Sequence, residues 1–169
     1  MRKKYSVSLL VCAVALLSTL LIPTGYALSW HKRGRVKGTF DYTFDLLMDP
    51  MLAEGKTFLF AEEFETWVGD FEGDGHAYFI VMVYDDSGLM EVVLLSTLTG
   101  EVDGKQGTVV IRLVGKKPAG GNWIGTWKVL SGTDELANLN GNGIWWGPGF
   151  GEVSPMIYYS GTIRFEPSH

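Results

Sequence analysis

Glu62, Glu63 and Glu65 cluster within thirteen residues of Asp70, Glu72 and Asp74. Paired carboxyl groups do the work of glycoside hydrolysis, which needs two of them at a set separation across a cleft. Sequence spacing alone does not set that separation, and acidic residues in a strand are expected on its solvent face. In Gly69–His76 (GDFEGDGH), Asp70, Glu72 and Asp74 alternate, so an extended chain puts all three on one side. With His76 they could hold a hard cation weakly. The EF-hand pattern fails here, because the twelfth place from Asp70 is Val81 rather than an acid. A solvated hairpin tip is the expectation. The stretch Ser131–Gly143 (SGTDELANLNGNG) places Asn138, Asn140 and Asn142 at alternate positions. Its closing position would be Gly149, which offers no bidentate ligand. No lysine follows its glycines, so a phosphate cradle fails too. No metal site is expected.

Nucleophilic catalysis finds little support. The three histidines are His31, His76 and His169, and no Gly-x-Ser-x-Gly elbow occurs. The one cysteine, Cys12, lies in the N-terminal apolar run. No residue set identifies a reaction, no catalytic residue is assigned, and no cofactor is implied.

Aromatic residues are the stronger feature. Trp30, Trp67, Trp123, Trp127, Trp145 and Trp146 are the six tryptophans. Trp123 and Trp127 share a side of a regular strand, whereas Trp145 and Trp146 point to opposite faces. Core filling is one role for such rings. Stacking on a flat apolar ligand or a sugar is the other, helped by the indole N–H. The candidate ligand-binding residues are Trp67, Tyr78, Trp127 and Trp145.

The elements that would position these residues are strands. Segments rich in Val, Ile, Phe, Tyr, Trp and Thr run between glycines. Strands are expected near Val36–Met48, Lys56–Val68, Gly75–Tyr84, Leu89–Val102, Gly107–Gly115, Gly121–Leu130, Asn140–Trp146 and Met156–Phe165. Turn chemistry separates them, as at Asp85-Asp86-Ser87-Gly88, Asp103-Gly104 and Gly147-Pro148-Gly149. Asp45–Glu54 has room for a turn or two of helix, interrupted by Pro50. About eight strands with short links predict one all-β domain, a single closed antiparallel barrel. Gly-Thr pairs at Gly38, Gly107, Gly125 and Gly161 read as strand openings with close backbone approach. Tyr78–Tyr84 and Met90–Leu95 are apolar on both faces. One face fills the barrel, and the other is expected in a lined cavity or an oligomer interface, a homodimer being the commonest.

The N-terminus carries a different signal. Arg2, Lys3 and Lys4 precede an apolar run from Val7 to Ile22, then Pro23 and the small residues of Gly25-Tyr26-Ala27. This is the pattern of a secretory signal peptide (residues 1–27), cut after Ala27. Residues 28–169 then form the barrel domain, secreted or extracytoplasmic, cysteine-free and without stable membrane association. The formal net charge is −5, and losing three basic residues makes it more negative. Such acidity excludes nucleic acid and anionic membrane surfaces as natural partners.

Gly125–Gly143 (GTWKVLSGTDELANLNGNG) resembles the C-terminal signature of an uncharacterised, mostly bacterial family. There a Gly-Thr-Trp strand leads to Ser-Gly-Thr-Gly-Glu-Leu-Ala-Gly-Leu-x-Gly-x-Gly. Gly69–Asp86 (GDFEGDGHAYFIVMVYDD) resembles that family's Gly-Asp-Leu-Glu-Gly hairpin. The resemblance implies a small barrel of the allene-oxide-cyclase-like, or calycin-like, type, related in shape to lipocalins. Two departures stand out: Asp134 replaces a usual glycine, and Ile144–Pro155 is longer and more aromatic. On this basis Ser131–Gly143 is a barrel corner, with Ser131 or Thr133 capping a short turn and Leu136 and Leu139 tucked beneath the barrel end. Three functions follow as expectations. The first is a non-catalytic binder of a small apolar or aromatic ligand. The second is an isomerase or cyclase with Glu65 or Glu72 as its polar group, and the third a solid barrel that dimerises.

Overall fold

The computed structural model describes residues 34–148 and 156–167; the proposed signal peptide, Trp30, His31 and His169 lie outside them. Nine strands follow in chain order: β1 (Gly34–Leu46), β2 (Met51–Ala53), β3 (Lys56–Gly69), β4 (Phe71–Tyr84), β5 (Met90–Val102), β6 (Lys105–Lys117), β7 (Trp123–Gly132), β8 (Leu139–Gly147) and β9 (Ile157–Phe165). Neighbours in sequence pair antiparallel from β2 to β9, β9 pairs with β1, and β1 closes the barrel onto β3. Eight long strands therefore form a closed antiparallel barrel, as the sequence predicts.

The eighth position is shared. β1 pairs with Ala61–Gly69 of β3, and β2 pairs with Lys56–Phe58 of the same strand. The bend between β1 and β2 contains Pro50, which lacks the N–H a continuous ladder needs. Asp45–Glu54 is thus an interrupted strand, not helix. Its hairpin closes at Glu54-Gly55 with both residues at positive φ, as does Asp103-Gly104. That is the signature of tight two-residue turns whose twist matches the strands. The acidic stretch Gly69–His76 also differs from expectation. β4 begins at Phe71, so Glu72 and Asp74 stand on a strand's outer face, and only Asp70 lies between β3 and β4.

The barrel corner is a 3₁₀ turn at Asp134–Leu136, with Thr133 as N-cap. Thr133 makes no side-chain capping bond; its hydroxyl instead accepts from Thr108 N–H at 3.2 Å and donates to Asp134. Leu136 is fully buried and Leu139 nearly so, so this turn plugs one end of the barrel. No counterpart plug is present at the other end among the described residues. The Gly-Thr glycines lie within strands rather than opening them, and three of them, Gly38, Gly125 and Gly161, make room for rings. A Cβ at Gly161 would collide with Trp127, and one at Gly125 with Trp145.

Candidate functional site

Inward side chains form two layers. The lower layer, above the Leu136 plug, is a solid aromatic cluster. Trp67 stacks on Phe40 with ring centroids 4.4 Å apart, and Phe71 sits edge-on to both Trp67 and Trp127 at 5.9 and 5.6 Å. Tyr159 completes the cluster: its Oη accepts from Phe71 N–H at 2.8 Å. Burial raises the Tyr159 phenol to about 12. Above this layer lies a cavity of about 40 Å³, lined by Phe40, Tyr42, Glu63, Phe79, Val92, Leu94, Leu113, Trp123, Trp145 and Ile157. It holds about three water-sized groups. Two larger hollows, of about 510 and 490 Å³, are depressions in the outer wall, one around Asn140, Gly141 and Asn142 and the other around Trp146 and Tyr158. The interior cavity is bordered by a pair of buried carboxyl groups, one of which lines it.

Those groups are Glu63 and Glu65, 4 % and 2 % exposed. Both stand on the inner face of β3 by the two-residue period, with Ala61 and Trp67. Glu65 has space because its cross-strand partner is Gly75, where a Cβ would strike its carboxyl. Two donors fix that carboxyl: Trp67 Nε1–H at 2.8 Å and the Ser96 hydroxyl, both to Oε2. Oε1 is buried with no donor while both carboxyls are ionised. A proton on Glu63 makes that carboxyl a donor toward Glu65.

The electrostatics agree. Burial, then the charge of Glu65, pushes the Glu63 carboxyl up to about 9. Burial also raises Glu65, against the opposing effect of its Ser96 and Trp67 bonds. Burial first, and Glu63 second, raises the Tyr42 phenol. At neutral pH the pair keeps at least one proton. Its two carboxyls stand side by side on the inner face of one strand, so they do not face each other across a cleft as glycoside hydrolysis requires.

The structure sorts the predicted site residues. Trp67 and Trp127 are buried in the solid layer, and Trp145 lines the cavity. Tyr78 is corrected: it is 55 % exposed on the outer wall, because Ala77, Phe79 and Val81 take the inner face of β4. Glu72 is likewise exposed, while Glu65 is interior. His76 is on the outer wall, where it stacks on Phe64 and meets Glu62 at 3.2 Å. Among the described residues no group of three or more His, Cys, Asp or Glu is placed to hold a metal. The reading of acids in strands as solvent-facing fails for Glu63 and Glu65. Residues not singled out as ligand candidates were Tyr42, Phe79, Ser96 and Trp123. The available signal was parity: Glu63, Glu65 and Trp67 must share a face.

Comparison with known proteins bears on this geometry. A family described as protein of unknown function, DUF3224, matches residues 36–145. The chain belongs to the DUF3224 family. Its fold resembles a crystal structure of a DUF3224 protein of unknown function from Shewanella oneidensis MR-1. That likeness has a TM-score of 0.64 at 21 % identity and covers 81 % of this chain and 100 % of that one. No functionally curated protein matches. The family match spans β1 to β8, and so includes Glu63, Glu65 and Ser96. The resemblance to an uncharacterised barrel family therefore holds. Asp134, the departure from its signature, sits at φ 53°, a left-handed conformation that glycine adopts at least cost.

Proposed function

We propose that the protein is an exported barrel that binds a slender apolar small molecule in its interior. The observation that carries this reading is the cavity itself: an apolar, largely aromatic lining with the Glu63 carboxyl and Tyr42 phenol as polar groups. That combination of apolar walls and few convergent polar groups is the usual make-up of a small-molecule site. Its size restricts the part that enters to a narrow chain or a small ring edge. Export is supported by the basic start, apolar run and small-residue cleavage pattern of residues 1–27.

Tryptophan fluorescence tests the binding reading, because Trp123 and Trp145 line the cavity. Titration with short alkanes, alkanols and small aromatics is expected to give a saturable shift that disappears in a filled variant such as Leu94→Phe. An unchanged shift in a folded Leu94→Phe would place binding elsewhere. Fractionation of expressing cells, with N-terminal sequencing of the product, tests export; a mature start at Leu28 is expected.

One observation favours the isomerase or cyclase reading as a second. Glu63 brings a proton to the cavity wall beside a second carboxyl, an arrangement suited to general acid–base work. Deuterium uptake from D₂O into a bound enolisable ligand, abolished by Glu63→Gln, would support it.

A further inference from the structure

We propose that the cavity takes a slender primary amine, whose ammonium group replaces the proton held between Glu63 and Glu65. This rests on the binding reading above and names the ligand class of the same site.

The charge inventory points to a cation. Glu63 and Glu65 are two buried carboxyl groups side by side, and one oxygen, Oε1 of Glu65, lacks a donor when both are ionised. No basic side chain answers them. Among the described residues the ion pairs are His76–Glu62 and Arg164–Glu166, both at the surface. His76 acts on Glu65 only through space, from the outer wall and already beside Glu62. Ser96 and Trp67 each donate one bond to Oε2, and Tyr42 adds a phenol to the lining. An ammonium carries three donors and one positive charge, which suits two carboxyls with an open acceptor.

The walls suit the same group. Phe40, Tyr42, Phe79, Trp123 and Trp145 line the cavity, and aromatic faces stabilise a desolvated cation. A bare cation would leave the apolar lining empty. A volume of about 40 Å³ leaves room only for a short, slender group. The ammonium end of a short unbranched alkyl amine satisfies both constraints, and the acidic barrel attracts it from solution. The exchange is non-covalent: the ammonium enters with its charge, and one proton leaves the pair for solvent.

The exchange gives a readout that simple apolar binding lacks. Because one proton is released per ammonium bound, affinity rises about tenfold per pH unit below the pKa of the pair. Calorimetric titration of the purified full chain with n-butylamine and n-butanol, at pH 6, 7 and 8 in buffers of different ionisation enthalpy, measures both affinity and proton release. The expected result is a butylamine Kd falling about 100-fold from pH 6 to pH 8, with about one proton released. Butanol binding should be pH-independent. Glu63→Gln, nearly isosteric with the protonated acid, should remove the pH dependence and the preference for amine over alcohol. If Glu63→Gln does not fold, Glu65→Gln serves the same comparison. Equal, pH-independent binding of both ligands would overturn the amine assignment and leave the apolar-binding reading standing. Binding of neither would overturn both. Equal proton release by K⁺ alone would assign the site to an inorganic cation and also overturn the proposal.

Discussion

Folding should take up a proton at Glu63, and this makes the barrel less stable as pH rises. The folded-state pKa, about 9, exceeds the usual value of 4.5 because burial and the Glu65 charge disfavour the anion. A raised acid pKa means the native state binds the proton more tightly than the unfolded chain. The contribution is therefore fully present below pH 4.5 and is lost as pH climbs toward 9. Between those limits one proton changes stability by about 1.4 kcal/mol per pH unit. From pH 5 to pH 8 that amounts to about 4 kcal/mol, a large share of the 5–15 kcal/mol typical of a domain. Other groups titrate over the same range, so the assay is a difference. Urea unfolding of wild type and Glu63→Gln, followed by tryptophan fluorescence at pH 5, 6, 7 and 8, isolates this site. At pH 5 the two proteins should lie within about 1 kcal/mol, since the amide replaces an already neutral acid. At pH 8 Glu63→Gln should be the more stable, by about 4 kcal/mol. Parallel pH profiles would refute the reasoning, because they would show that Glu63 enters the native barrel ionised.

Three further outcomes follow from the packing. Tyr159→Phe removes the acceptor for the buried Phe71 N–H and should cost about 1–3 kcal/mol in denaturant unfolding. Gly161→Ala forces a methyl into Trp127 and the backbone of β8; a loss of about 1–3 kcal/mol and a lower Tm are expected. Asp134→Gly relieves a left-handed residue at the barrel corner; a gain of up to about 1 kcal/mol is expected, and a loss would mean the Thr133–Asp134 hydrogen bond outweighs the strain.

Much of the barrel was legible because its signals are local. Asp103-Gly104 ends a strand wherever it occurs, since both residues accept positive φ and reverse the chain. The corner at Ser131–Gly143 could be anticipated from Leu136 and Leu139, apolar residues in a turn that need something to cover. The strand reading failed where two states were locally equivalent. Asp45–Glu54 had apolar residues for either helix or strand, and pairing with β3 decided the matter. Gly38, Gly125 and Gly161 were visible as close-approach residues, but the rings they accommodate belong to other strands, and Gly107 instead makes room for Leu136.

The site divides the same way. Sequence alone determined that Glu63, Glu65 and Trp67 lie on one face of a strand, because the pleat repeats every two residues. It could not determine which face. β3 carries Phe64 and Val68 on one side and two glutamates with Trp67 on the other, so local hydrophobicity pointed the acids toward water. Closure of the barrel reversed that assignment. Once β1 pairs with β3 and Gly75 stands opposite Glu65, the glycine leaves an interior gap of carboxyl size, and Ser96 and Trp67 supply its donors. A buried acid pair is a property of that convergence, since its desolvation depends on walls contributed by strands throughout the chain.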